Sequence, residues 1–127
     1  MKHLLLVMLG GGIGAGGRHL VSLATLRLFG PGFPVGTLTV NVAGSLVMGL
    51  FIGWLVKQEG GNLQSLRYFV ATGILGGFTT FSAFSLDASV LWERGDTHLA
   101  LIYVLASVVL SILAVFAGLM IMRVAGS

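Results

Sequence analysis

The sequence predicts an all-α membrane protein with four transmembrane helices. Hydrophobic residues make up 56% of its 127 residues and charged residues only 9%, whereas charged residues are about 25% of an ordinary soluble domain. A helix needs about 20 predominantly apolar residues to cross a bilayer. Four stretches of that order occur, at 4–26, 37–56, 66–91 and 99–122. We therefore expect residues 1–127 to form a single four-helix transmembrane domain.

The first stretch begins MKHLLLVML, which has the charged start and apolar core of a signal peptide. Because its hydrophobicity continues through GGGIGAGG and three more apolar stretches follow, we interpret it as the first transmembrane helix. The intervening segments GPGFPVG, KQEGGNLQS and ERGDT contain the Gly, Pro and charged residues that end helices at the membrane interface. Four helices with short connections place both termini on one side.

The basic residues select an orientation only weakly. At the predicted helix ends they divide between the two sides as follows: Lys2, Lys57, Arg67 and Arg123 on the side of the termini, and Arg27 and Arg94 on the other. Arg18 adds a third to the second side if it extends that way. So small a bias is compatible with one orientation, or with insertion both ways and pairing with an inverted copy. The basic residues are too scattered to form a nucleic-acid-binding surface. The two halves of the chain show no internal repeat, so an inverted partner would have to be a second chain.

The second and fourth stretches carry polar side chains at four-residue intervals. These are Thr37, Asn41 and Ser45 in the second, and Tyr103, Ser107 and Ser111 in the fourth. Residues i, i+4 and i+8 lie on nearly one helix face, so each set forms a narrow polar track. Such hydroxyls often bond to their own i−4 carbonyls or join helices. Alternatively, neutral hydrogen-bond donors suit a small hydrated anion that must bind and then leave. Hydroxyls also accept hydrogen bonds, so a cation is not excluded as the ligand.

The third stretch contains GGFTTFSAFS at residues 76–85. Gly76 and Gly77 together cost about 2 kcal/mol of helix propensity relative to alanine, and the hydroxyls of Thr79, Thr80 and Ser82 compete for backbone groups. We therefore predict that the third helix is broken near Gly76 to Thr80. Non-helical backbone at membrane depth is tolerated only inside protein or along a polar cavity, and it leaves carbonyls free to bind a cation.

Aromatic and acidic residues follow this predicted break. Phe81 and Phe84 have rings whose positive edges can weakly solvate an anion, although phenylalanine in a membrane protein more commonly faces lipid or the core. Asp87 is the only acid well inside a span, and an intramembrane carboxylate is by default a functional candidate such as a proton relay. We interpret it as a structural residue that caps or pairs near the break, since a passive anion path needs no titrating acid.

Three ordered motifs resemble those of the Fluc/CrcB fluoride channels. They are GGxxGAxxR at residues 10–18, GTLxVNxxGS at 36–45, and GGxTTFS followed by Phe at 76–84. The resemblance covers the whole chain. It implies a fluoride-selective channel that exports cytoplasmic fluoride passively, and so lowers its toxicity, through two pores of a dual-topology homodimer. The partners implied are an inverted copy of the chain, fluoride and the lipid bilayer of the bacterial inner membrane, and no nucleic acid.

The resemblance also implies roles for individual residues. A structural sodium ion at the dimer interface would be held by the backbone carbonyls of Gly76 and Thr79. Arg18 and Asp87 match structural or vestibule positions. The fluoride pathway would comprise Thr37, Asn41, Phe81, Ser82, Phe84, Tyr103, Ser107 and Ser111. The chain departs from the family pattern at Ala83 where threonine is usual, at Asp87 where glutamate is usual, and at His19 where an aromatic residue is common.

Two other classes of membrane protein remain as alternatives. A proton-coupled small multidrug transporter needs an accessible carboxylate, usually early in the chain, but the first span has Arg18 and no acid. A structural helix-packing subunit would use glycines such as Gly49 and Gly53 as packing notches, which leaves the polar tracks unexplained. The sequence has no nucleophile and base pair, phosphate-binding loop or metal cluster that indicates an enzyme.

Overall fold

The computed structural model describes residues 1–58 and 61–125 as a helical bundle with four spans. Three spans are continuous helices: α1 (Lys2–Phe29), α2 (Val35–Val56) and α6 (Thr97–Ala125). The third span, Gln64–Glu93, consists of four segments: α3 (Gln64–Arg67), the π-helix π1 (Tyr68–Leu75), α4 (Gly76–Phe78) and α5 (Phe81–Glu93). All four spans are long and apolar enough to cross a membrane, as predicted.

The first and third connections lie at the same end of the bundle. The guanidinium of Arg94, which follows α5, donates to the carbonyl of Gly32 in the loop before α2, over 2.9 Å. The same side chain pairs with Asp96 at 2.8 Å. Because spans joined by short connections alternate in direction, this bond agrees with the predicted four-pass topology.

Glycines bring the helices into backbone contact. At Gly118 of α6, a Cβ atom would lie 2.5 Å from the carbonyl oxygen of Leu46 on α2, and one at Gly49 would meet the carbonyl of Val115. At Gly10 of α1 a Cβ would lie 2.5 Å from the carbonyl oxygen of Phe69 at the start of π1. Lipid is as apolar as leucine, so helix association in membranes depends on such close van der Waals packing. The predicted packing notch at Gly49 is thus observed.

The third span is broken as predicted, but its glycines do not form the break. Gly76 and Gly77 are helical, and the extended residues are Thr79, with φ −86° and ψ 158°, and Thr80, with φ −154° and ψ 126°. Gly77 instead permits close packing, because a Cβ there would lie 2.5 Å from the carbonyl oxygen of Gly11 on α1. Propensity alone predicts that both glycines weaken the helix, but at Gly77 tertiary contact overrides propensity. We call Thr79 and Thr80 the break.

The most enclosed side chains lie where α5 runs antiparallel to α6. Phe84 and Leu91 of α5 form one buried cluster with Ala100 and Tyr103 of α6. The fully buried ring of Tyr103 meets Phe33 edge-on at 5.5 Å between centroids, and lies 5.2 Å from Phe84. This aromatic contact fixes the relative height of α5 and α6, and therefore which residues of α6 lie beside the break.

We predict that Gly49→Ala weakens the bundle, because the added methyl group would meet backbone atoms of α6, which cannot move aside as a side chain can. Overpacking of this kind costs about 1–3 kcal/mol. Thermal unfolding in detergent micelles measures it. Gly12→Ala on α1 is the matched control, since a Cβ there meets nothing within 4 Å. Equal stability of the two variants would contradict the backbone-contact account.

Candidate functional site

The break removes four backbone hydrogen bonds that a continuous helix would make. Such a helix would pair the carbonyls of residues 76–79 with the N–H groups of residues 80–83. Side chains replace some of these partners. Arg18 Nε of α1 donates to the carbonyl of Gly77 over 3.2 Å, and the Thr80 hydroxyl accepts the Ala83 N–H over 3.1 Å as the N-cap of α5. Arg18 therefore points into the bundle, where it stabilises the end of α4.

Asn41 of α2 holds the break open from the other side. Its Oδ1 accepts the N–H of Thr80 over 2.7 Å, and its Nδ2 donates to the carbonyl of Thr80 over 3.0 Å. The amide thus pairs with Thr80 as a neighbouring strand would, which fixes its extended conformation. An asparagine amide has two N–H donors, so one donor of Asn41 remains for another partner.

Several backbone groups at the break stay without a partner. The extended torsions of Thr79 and Thr80 separate the carbonyls before the break from the N–H groups after it. The carbonyls of Gly76, Phe78 and Thr79, and the N–H groups of Phe81 and Ser82, therefore lack the partners that a continuous helix would give them. Free carbonyls carry partial negative charge, and free N–H groups at a helix start carry partial positive charge. The break therefore has a carbonyl side and an N–H side.

A groove of about 380 Å³ lies beside the break, and we call it the break groove. It runs between α2, α5 and α6. Its polar or aromatic lining residues are Asn41, Ser45, Thr79, Thr80, Phe81, Phe84, Ser107 and Ser111. The structure thus brings together most of the predicted pathway, together with Ser45 of the second-span track. Ser82, Thr37 and Tyr103 are not among its lining residues.

The hydroxyls of Ser107 and Ser111 distinguish the two interpretations of the polar tracks. Several other hydroxyls in the bundle bond to a backbone carbonyl four residues earlier, namely those of Thr25, Thr79, Ser85 and Ser89. The hydroxyls of Ser107 and Ser111 are buried and have no partner among the described residues. An unpartnered buried hydroxyl costs about 1–3 kcal/mol. The helix-bonding interpretation therefore fails for these two serines, whose donors are available to a ligand in the break groove.

Aromatic rings form the boundary between the groove and the buried cluster. The ring centroids of Phe81 and Phe84 lie 5.5 Å apart, and Phe84 also contacts Tyr103. Phe84 is buried, whereas Phe81 is 77% exposed at the open side of the groove. One chain therefore covers only one of the two predicted pathway phenylalanines.

Tyr103 separates the break groove from a second cavity at the end of the bundle. Its hydroxyl donates to Asp87 Oδ2 over 3.1 Å. Asp87 and Thr37 line this cavity of about 340 Å³, together with the loop before α2 and Arg94. The partner of Asp87 thus lies on α6. The pair is well along α5 from the break, whereas the sequence predicts that Asp87 caps or pairs near the break. Tyr103 itself is not among the residues that line either cavity.

Two features of this site have no evident signal in the sequence. The inward bond of Arg18 spans 59 residues, and the charge count had left the direction of this side chain open. The π-helical register of residues 68–75 precedes the break and was not predicted. The Arg18 bond depends on how closely α1 approaches the third span.

Comparison with known proteins covers nearly the whole chain. The model of the family described as CrcB-like protein, Camphor Resistance (CrcB), matches residues 5–119. A relative in Mesorhizobium japonicum, named fluoride-specific ion channel FluC, is 58% identical over 123 residues, which are 97% of this chain and 98% of the relative. Relatives of that name in Paracoccus denitrificans and, as FluC 2, in Nitrobacter hamburgensis are 55% identical over 124 residues and 53% identical over 119. They align with 97% and 94% of this chain, and with 97% and 95% of their own lengths.

We predict that Asn41→Leu destabilises the protein, because it leaves the N–H and carbonyl of Thr80 without partners inside the bundle. Each such group costs about 1–3 kcal/mol. Thermal unfolding in micelles checks this, with Thr39→Val on an exposed position of the same helix as the control. If both variants unfold at the wild-type temperature, Asn41 does not hold the break.

Proposed function

This chain belongs to the CrcB-like protein family, and we propose that it is a fluoride-selective ion channel. It is a multi-pass membrane protein whose aligned relatives are named fluoride-specific ion channels. The observation that carries the proposal is the pair of buried, unpartnered hydroxyls of Ser107 and Ser111 in the break groove. They are donors held in place for an acceptor that the chain itself does not provide.

The chemistry of the groove suits a small anion that passes through. Among its described lining residues none is charged, so no cation holds an anion permanently and no carboxylate repels it. Fluoride is the smallest halide and the strongest hydrogen-bond acceptor among them, so neutral hydroxyl and amide donors can replace part of its hydration shell. Conduction requires binding that is strong enough for the ion to enter and weak enough for it to leave each position. Export then follows the electrochemical gradient and lowers cytoplasmic fluoride.

The phenylalanines extend the same path. The edge of an aromatic ring carries partial positive charge, and Phe81 and Phe84 lie side by side along the groove. In this proposal their edges contact the ion between polar positions. Ser107 and Ser111 continue the path along α6. Tyr103 lies beside Phe84 at the end of the path, where its single O–H is donated to Asp87, and Thr37 lines the second cavity beyond it.

An inverted homodimer completes the path. The break groove is open on one side, and the ring of Phe81 stands exposed there. A second copy of the chain, inserted in the opposite orientation, covers this ring and closes the groove. Two symmetry-related grooves then give two pores. The weak charge bias of the chain supports insertion in both orientations.

A structural sodium ion fits the carbonyl side of the break. The carbonyls of Gly76 and Thr79 are among those without a partner within the described residues, and Gly76 is exposed on the surface of the chain. Broken helices in transporters use such freed carbonyls to bind Na⁺. When bound between two copies, the ion would offset the partial negative charge of these oxygens and join the two breaks.

The competing transporter mechanism is not favoured by the site. Proton coupling needs a carboxylate that exchanges protons with the transport path, but Asp87 is bonded to Tyr103 and does not line the break groove. The bond is better explained as a means of fixing the Tyr103 hydroxyl. Asp87 thus has a structural role in this proposal, and Arg18 holds the end of α4.

We expect the purified protein in liposomes to release fluoride down its gradient, as recorded with a fluoride electrode, with negligible chloride release. No proton gradient should be required, since no carboxylate is among the residues that line the break groove. Comparable chloride release, or flux that needs a proton gradient, would contradict the proposal. Protein-free liposomes provide the baseline.

We also predict that Ser107→Ala lowers fluoride flux by about tenfold or more, because a hydrogen bond to a charged partner contributes about 1.5–3 kcal/mol. Ser89→Ala is the matched control. It removes a hydroxyl that bonds to the carbonyl of Ser85 in its own helix, so flux should stay near that of the wild type. A similar flux in both variants would show that the Ser107 hydroxyl does not face the ion.

A further inference from the structure

We propose that the start of α5 is an anion-binding position in the conduction path, formed by the backbone N–H groups of Phe81 and Ser82 with the hydroxyl of Ser107. This inference rests on the proposed function and specifies which atoms bind fluoride beside the break. It assigns the main contact to the backbone, whereas the polar tracks concern side chains.

The free N–H groups result from the way α5 begins. The helix has 13 residues, and its N-cap Thr80 accepts only the N–H of Ala83. The N–H groups of Phe81 and Ser82 come before the first possible intrahelical bond. Because Thr79 and Thr80 are extended, neither N–H group meets the carbonyl four residues earlier that a continuous helix would give it. Two adjacent donors are therefore left at the start of a helix.

Ser107 gives an independent indication of a ligand at the same height. The residue is only 5% exposed, and its hydroxyl has no partner among the described residues. Ser107, Thr80 and Phe81 all line the break groove. A buried donor at this place, which does not use its own helix carbonyl, indicates an acceptor in the groove.

The antiparallel packing of α5 and α6 brings the two sets of donors together. Phe84 packs against Tyr103. From this contact, three residues back along α5 lead to Phe81, and four residues forward along α6 lead to Ser107. These steps are about 4.5 Å and about 6 Å in the same direction. Ser107 therefore lies level with the first residue of α5, on the helix that faces it across the groove.

The electrostatics of this end of α5 favour an anion. A helix start carries about half a positive charge, and helix starts bind anions through their free N–H groups. Arg18 does not substitute for this charge, because it is bonded to the carbonyl of Gly77 at the end of α4. Asp87 lies about two turns further along α5 and bonds to Tyr103. The backbone thus supplies positive potential without a cationic side chain, which would hold fluoride too tightly to release it.

The test is to replace single backbone amides by esters through semisynthesis, which removes one N–H donor and leaves every side chain in place. We expect the ester at Ser82 to lower fluoride flux in liposomes by about tenfold or more and to raise the fluoride concentration for half-maximal flux. The ester at Phe81 gives a second variant if the first does not assemble. Because it also weakens the Thr80 carbonyl that accepts from Asn41, its flux is compared at equal thermal stability with the wild type. The matched control is the ester at Ser89, which removes an N–H from the interior of α5.

The control separates anion binding from helix stability. Each ester weakens the preceding carbonyl as an acceptor, that of Phe81 in one case and of Ala88 in the other. Only the Ser89 ester also removes an N–H bond within the helix, so a stability effect would be larger at Ser89. Wild-type flux in both the Ser82 and Phe81 esters would overturn the proposed position and leave the fluoride channel intact. An equal loss in the Ser89 ester would overturn it too. Wild-type protein that passes no fluoride would instead contradict the channel function, and this position with it.

Discussion

The paired hydrogen bonds between Asn41 and the backbone of Thr80 are the interaction on which the site depends. Hydrocarbon offers no water to solvate exposed peptide groups, so broken backbone in a membrane must find partners in the protein. Asn41 supplies a donor and an acceptor 39 residues away in sequence. With Thr80 held extended, the helix cannot continue from α4 into α5. The free carbonyls and free N–H groups on the two sides of the break are consequences of that one contact.

Glycine packing determines which side chains can reach the break. Arg18 bonds to the carbonyl of Gly77 because α1 lies almost in contact with α4, where Gly77 meets the backbone of Gly11. Gly49 and Gly118 similarly draw α2 and α6 together along the groove. In a membrane, small residues are the main means of such close approach. The packing of the bundle and the placement of its polar groups therefore have the same cause.

The polar residues divide into those that complete the fold and those that remain available. Arg18, Asn41 and Thr80 satisfy backbone groups at the break, and Asp87 pairs with Tyr103. The hydroxyls of Ser107 and Ser111 make no such hydrogen bond to the described residues. Although 9% of the residues are charged, the groove is lined by uncharged residues, and its free donors are serine hydroxyls. Such a groove suits an ion that must be bound briefly at several positions.

The sequence by itself determined the features that depend on local composition and period. Four apolar stretches gave the number of spans, the four-residue intervals put Ser107 and Ser111 on one face, and the cluster of glycine and hydroxyl residues located the break to within a few residues. It cannot tell a glycine that weakens a helix from one that permits contact, so it predicts a helix-weakening role for Gly77, which is helical and packs against Gly11. Nor could it tell a serine bonded to its own helix, such as Ser89, from the free Ser107. Only the tertiary structure decided these points, because each depends on which atoms a distant helix places beside the residue.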